Sequence, residues 1–111
     1  MASGTFGAFL GGDSGDIELT SGCFYRKVGR QVVLWFVSSA TLSTNSNKTW
    51  KEIGTLPTGY RPANTVYAPF GAGGYNSTSY GTAKVEPSGK VSIVSQSGEV
   101  TYIAGEIVFF V

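Results

Sequence analysis

Two short runs made only of apolar residues, Val32–Val37 and Ile107–Val111, constrain the fold of this 111-residue chain more than any other feature. Each run is far shorter than the about 18 consecutive apolar residues that indicate a membrane-spanning helix. A strand that is apolar on both faces is covered on both, at the centre of a sandwich or at a boundary between subunits. We therefore expect both runs to be strands, covered either by the same chain or by neighbouring chains.

The remaining sequence is typical of short strands joined by tight turns, because it contains 16 glycines and 14% aromatic residues. The segments Gly22–Val28 and Gln31–Ser39 predict a β-hairpin whose two-residue turn, Gly29-Arg30, suits type II′ geometry. The window Arg30–Ile53 lacks glycine and proline, yet its middle is rich in Ser, Thr and Asn. No helix of useful length is expected.

These signals predict an all-β protein with a jelly-roll-like antiparallel β-sandwich of seven or eight strands. Residues 1–16 are expected to form a flexible, glycine-rich arm or linker, and residues 17–111 the sandwich domain. The arm carries three large apolar side chains, Phe6, Phe9 and Leu10, which we expect to pack either on the domain or on another subunit. The segment Trp50–Pro62, in which Pro57 and Pro62 bracket four residues, is expected to be a rigid, irregular connection and not a central strand.

Charge and residue usage exclude several classes of function. The net charge is +1, and beyond Arg26, Lys27 and Arg30 in one hairpin the sequence has no basic stripe of the kind that nucleic-acid binding requires. No membrane insertion is expected either. The absence of histidine excludes a Ser–His–Asp triad, a Cys–His pair and the commonest zinc ligand. The lone cysteine, Cys23, is expected to be a small buried apolar residue.

Carboxylate chemistry is the alternative that remains open. Asp13, Asp16 and Glu18 lack the spacing of a calcium-binding EF-hand, so we expect a solvated loop, no metal and no cofactor. Glu86 and Glu99 flank two turns and would serve a glycan depolymerase only if their carboxyl groups lie roughly 5–9 Å apart. We therefore expect a protein that is not an enzyme, with a depolymerase as a less favoured alternative.

Two segments resemble a known family. The stretch Trp50–Pro62 (WKEIGTLPTGYRP), followed by Val66–Pro69 (VYAP), and the later stretch Gly81–Ile93 (GTAKVEPSGKVSI) carry the resemblance. Both are similar to the C-terminal head domains of tail-fibre and baseplate proteins of tailed bacteriophages. The similarity extends from Trp50 to Val111, a little over half of the chain, and it concerns a scaffold rather than a particular ligand.

The resemblance implies a homotrimeric head that recognises a saccharide on the host cell surface without catalysis. It also implies a protein of the virion, attached to other tail proteins and acting at the exterior of a bacterial cell. A purely structural trimerisation or capsid-decorating knob is the alternative. The resemblance supplies no catalytic residues, and the binding residues of such heads vary too much to be transferred by motif.

Saccharide binding needs exposed aromatic rings for the C–H faces of sugars, and amides or carboxylates for their hydroxyl groups. The glycine-rich stretch that follows the strand Asn64–Ala72 contains these groups, and so does that strand itself. The alternative is that the tyrosines only pack on a neighbouring strand. Trp35 is expected in the core and Trp50 beneath the proline-rich connection. The predicted binding residues are Tyr75, Asn76, Tyr80, Tyr67 and Asn64.

Overall fold

A computed structural model of the chain describes residues 15–73 and 78–111. Eight β-strands make up its regular structure, and the described residues contain no helix. The strands are β1 (Ile17–Thr20), β2 (Cys23–Val28), β3 (Gln31–Phe36), β4 (Lys51–Thr55), β5 (Val66–Ala72), β6 (Ser79–Val85), β7 (Lys90–Val94) and β8 (Gly105–Phe110).

The strands form two four-stranded sheets, in the order β1-β2-β3-β8 (the first sheet) and β4-β7-β6-β5 (the second sheet). All neighbouring strands are antiparallel. The chain crosses from the first sheet to the second after β3 and returns after β7, so β8 completes the sheet that β1 began. The predicted all-β antiparallel sandwich is confirmed. The division at residue 16 remains a prediction, because residues 1–14 lie outside the described part.

The core lies between the two sheets and follows the two-residue period of a strand. In β3, Val32, Leu34 and Phe36 point inward and are buried. They face an inner surface of the second sheet that is equally apolar. The largest fully buried side chains from strands and loops are Leu34, Leu56, Ile93, Ile103, Val32, Val85, Val91 and Cys23.

The same period means that the sandwich covers only one face of each apolar run. Trp35 lies on the outer face of the first sheet, where it is half-buried and stacks on Phe24 with ring centroids 6.1 Å apart. The prediction that Trp35 is a core residue is therefore wrong. Val108 and Phe110 of the second run also lie on this outer face, and both are exposed.

The turn between β2 and β3 has the two-residue type II′ geometry that the sequence predicts. Val28 pairs with Gln31, so the turn has two central residues, and Gly29 adopts a positive φ of 62°. Only the first central residue has a positive φ, as type II′ requires.

The segment expected to be an irregular connection instead contains a regular strand, because Lys51–Thr55 forms β4. This strand lies at a sheet edge, pairs with β7 alone and shifts register between Glu52 and Gly54.

Hydrogen bonds hold the segment after β4 against the β6–β7 turn at Gly89. The Leu56 amide donates to the Gly89 carbonyl at 2.8 Å, and the Arg61 Nε donates to the Leu56 carbonyl at 2.8 Å. Gly89 has a φ of +90°, and a Cβ atom built on it would lie 2.5 Å from the Leu56 oxygen. The two segments that carry the family resemblance therefore interlock, and their shared role here is structural.

Substitution of Gly89 with alanine is expected to destabilise the domain more than the same change at Gly98. Both glycines are buried and have a φ of +90°, so both variants incur left-handed backbone strain, about 1–3 kcal/mol. Only Gly89→Ala adds a collision with backbone, since a Cβ at Gly98 would meet its nearest atom at 3.5 Å. Urea unfolding of both variants measures the difference. Equal losses of unfolding free energy would contradict a close contact between Gly89 and the Leu56 carbonyl.

The Cys23 thiol provides a pH-dependent test of the core. Burial raises the pKa of Cys23 from 9.0 to about 12, because the thiolate is disfavoured away from water. Between pH 9 and pH 12 the thiol therefore loses its proton in the unfolded chain but keeps it in the folded one. This favours the unfolded chain, so the free energy of unfolding falls as the pH rises. Between pH 7 and pH 10, the wild type is expected to lose about 1 kcal/mol more unfolding free energy than Cys23→Ala. Equal losses, measured by urea unfolding under reductant, would place the thiol in water.

Candidate functional site

The described residues hold few groups suited to catalysis or metal binding. Among residues 15–73 and 78–111, no three His, Cys, Asp or Glu side chains are grouped so that they could hold a metal ion. In this part of the chain, Asp16 forms an ion pair with Arg26 at 3.2 Å and Glu86 one with Lys84 at 3.7 Å. No helix in the described part of the chain is long and apolar enough to cross a membrane.

The outer face of the second sheet carries the predicted aromatic residues that the structure describes. In β6, the inward side chains are small or apolar, so Tyr80, Thr82 and Lys84 share the outer face. The register of β5 and β6 sets Tyr67 opposite Lys84 and Gly71 opposite Tyr80. The two tyrosines thus lie on one surface, separated by four residues of β6, or about 13 Å.

At one end of this surface, Trp50 and Tyr67 form an aromatic pair. Their ring centroids lie 6.4 Å apart with the planes tilted by 52°. The side chain of Lys84 completes the group, with its Nζ 4.4 Å from the Trp50 ring centroid. The cation–π contact and the ion pair to Glu86 restrain the lysine. Trp50 is 40% exposed and Tyr67 63% exposed, so the pair offers ring surface to solvent.

At the other end, the Tyr80 ring is 76% exposed and borders a groove with a volume of ≈ 270 Å³. Side chains of Thr82, Gln96 and Ser97 contribute polar groups to its walls, and Val94 contributes an apolar one. The Tyr80 carbonyl accepts a hydrogen bond from the Ser95 hydroxyl at 2.8 Å. The backbone beneath the ring is therefore fixed, although the ring itself is not packed into the core.

The surface defined by Trp50, Tyr67, Lys84, Thr82 and Tyr80 is called the aromatic strip below. Its two aromatic ends could stack on sugar rings, while hydroxyl and amide groups between and beside them offer hydrogen bonds. Its one charged side chain, Lys84, already contacts both the Glu86 carboxylate and the Trp50 ring. This arrangement suits a neutral, hydroxyl-rich ligand that lies along the sheet.

The predicted binding residues have three outcomes. Tyr67 and Tyr80 lie together on the aromatic strip, whereas Asn64 is exposed in the bend before β5. Tyr75 and Asn76 lie outside the described residues, so their role stays a prediction. The expectation that Trp50 packs beneath the proline-rich connection is wrong, because it lies beside Tyr67 on the outer face.

No family model and no curated protein matches this sequence. A solved structure does match: the head domain of lactococcal phage bIL170, described in a study of a common fold for the receptor-binding domains of lactococcal phages. The two chains superpose with a TM-score of 0.59 over 86% of this chain and 94% of the other. The sequence identity is 14%, so the match establishes a common fold.

The match agrees with the family resemblance found in the sequence. That resemblance rested on Trp50 to Val111, whereas the structural match covers 86% of the chain and therefore includes part of the N-terminal half. The fold of this chain is that of a phage receptor-binding head, a β-sandwich without helices among the described residues.

Tyrosines that serve a ligand and not the core should be dispensable for folding. Tyr80→Ala is expected to change the free energy of unfolding by no more than about 0.5 kcal/mol, as is usual for exposed positions. Tyr25→Ala is the matched control: this ring is buried and packs edge-on against Tyr60 at 5.3 Å, so a loss of about 3 kcal/mol or more is expected. Chemical denaturation measures both, and a large loss at Tyr80 would assign that ring a packing role.

Proposed function

We propose that this chain is the receptor-binding head of a tail fibre or baseplate appendage of a tailed phage, and that it binds a saccharide on the host cell surface without catalysis. The observation that carries the proposal is the fold shared with a phage receptor-binding head over 86% of the chain. The protein would then belong to the virion, joined to other tail proteins, and would act outside the bacterial cell.

The aromatic strip supports the choice of a saccharide. Sugars combine apolar C–H faces with hydroxyl groups, and the strip combines two exposed ring surfaces with hydrogen-bonding groups. Its length of about 13 Å between Tyr67 and Tyr80 spans more than one sugar residue. We therefore assign the ligand to an oligosaccharide segment of a longer glycan.

We also propose that the head acts as a homotrimer. A shallow surface with two rings gives weak binding by itself, because few groups converge on each sugar. Three such surfaces on one rigid head raise the overall affinity. Once one surface has bound, the other two meet the glycan at a high effective concentration. A repetitive glycan on a cell wall presents the copies that such a head requires.

A structural knob and a depolymerase are the competing functions. A knob would bury Tyr67 and Tyr80 in contacts between subunits, whereas a receptor-binding head keeps these two side chains exposed in the assembled protein. A depolymerase would need a pair of carboxylates with one general acid. Among the described carboxylates, Glu86 is engaged with Lys84 at 3.7 Å, which favours binding over catalysis.

The test is binding of the protein to purified wall glycan from the bacteria that the phage infects. Tyr67→Ala and Trp50→Ala are each expected to weaken binding at least about tenfold, or about 1.4 kcal/mol, because each removes a ring surface. Tyr67→Phe is the matched control: it retains the ring and should bind within about threefold of wild type. Titration calorimetry with short wall fragments measures single-site binding without the effect of multivalency.

Three results would contradict the proposal. Unchanged affinity in both alanine variants would remove the aromatic strip from recognition, and absence of wild-type binding to the wall would favour the knob. Release of reducing ends from the glycan would show a depolymerase.

A further inference from the structure

The outer face of the first sheet is mostly apolar, and Arg26, Gln31 and Glu106 are its polar positions on β2, β3 and β8. Six apolar side chains from three adjacent strands form one continuous patch, because the register aligns Phe24 with Trp35 and Val33 with Val108. Val108 is 43% exposed and Phe110 68% exposed. The patch, called the apolar face below, consists of Phe24, Val28, Val33, Trp35, Val108 and Phe110.

An exposed patch of this kind marks an interaction surface on a soluble protein. Scattered single apolar residues need no explanation, but here they occupy neighbouring positions on β2, β3 and β8. The Phe24–Trp35 stack makes one end of the patch flat and preformed. Sheet faces that carry such side chains are stable when another apolar surface covers them.

The charges around the apolar face indicate which partner covers it. On β8, Glu106 precedes the two exposed apolar residues, and on β2, Arg26 lies between Phe24 and Val28. If β8 of one copy meets β2 of the next copy, opposite charges meet as the apolar side chains come together. Arg26 already contacts Asp16 at 3.2 Å, so Glu106 would join an existing ion pair. The net charge of +1 per chain opposes assembly only weakly.

The placement of these charges on β8 and β2 suits a contact between unlike sides. At one end of the apolar face, an open depression of ≈ 550 Å³ spans all three strands and is lined by Val28, Gly29, Arg30, Gln31 and Phe110. Contacts between unlike sides close into a ring when the rotation between copies allows it.

We infer that the apolar face is the surface through which copies of this chain assemble, with the β8 side of one copy against the β2 side of the next. This inference rests on the trimer in the proposed function and names the surface that forms it. The aromatic strip lies on the opposite sheet, so assembly leaves it facing outward. Adhesion and assembly are thereby assigned to different sheets of one sandwich.

The experiment compares two matched variants of the full chain, Phe110→Asp and Tyr80→Asp. Each replaces a strongly exposed aromatic residue with a carboxylate, one on each outer face. Light scattering is expected to give three chains for the wild type and for Tyr80→Asp, and one chain for Phe110→Asp. Binding to wall glycan gives the second readout: Tyr80→Asp loses it as a trimer, whereas Phe110→Asp keeps the single-site affinity and loses only the gain from multivalency.

A second variant covers the case in which Phe110→Asp fails to fold. Glu106→Arg changes an exposed side chain and sets like charges against Arg26 of the next copy. Its trimer is expected to dissociate at a protein concentration at least about tenfold higher than the wild type. In a Trp50→Phe background, Trp35 becomes the single tryptophan, so its emission should shift to the red as the trimer dissociates on dilution.

A trimer that persists in both Phe110→Asp and Glu106→Arg would overturn the inference, and so would a monomeric wild type. A monomer in which Trp35 stays shielded until residues 1–14 are removed would assign the face to the arm, which also overturns it. A wild-type trimer that does not bind the glycan would contradict the proposed saccharide ligand but not the assignment of the apolar face to assembly.

Discussion

The pairing of β3 with strands on both sides is the constraint on which the rest of the structure depends. β3 joins β2 through a two-residue turn and joins β8 from the far end of the chain, so it fixes both local and long-range register. Its inward side chains, Val32, Leu34 and Phe36, close the core against the second sheet. A shift of one residue would exchange them for Gln31, Val33 and Trp35, which would place an amide in the core.

Much of the fold could be predicted from the sequence because it depends on local signals. Gly29 specifies a turn, and the alternation in β6 and β7 specifies strands. The position of Trp35 could not be predicted, since a run that is apolar on both faces does not indicate which face the second sheet covers. β4 could not be predicted from its own sequence, because it contains Gly54 and lies just before Pro57. The long-range pairing with β7 makes it a strand.

The candidate site was predictable in part. The sequence predicts Tyr80 as a binding residue because it belongs to an exposed glycine-rich loop, and Tyr67 because it lies on the segment before that loop. Their shared face follows from the register of β5 and β6. The position of Trp50 could not be predicted, because Trp50 precedes β4 and its neighbour Tyr67 lies on β5, three strands away in the second sheet. No local pattern brings the two rings together. The role of Lys84 depends on the same long-range pairing. Once strand order is known, the alternation Tyr80, Thr82, Lys84 would have indicated the strip.

The hydrogen bond from Ser95 to the Tyr80 carbonyl has an evolutionary consequence. The Ser95 hydroxyl donates to the main-chain carbonyl of residue 80, an acceptor that every amino acid possesses. The side chain at position 80 can thus be exchanged without loosening the strand that carries it. Under the proposed function, single changes at such positions would alter ligand preference while the sandwich persists.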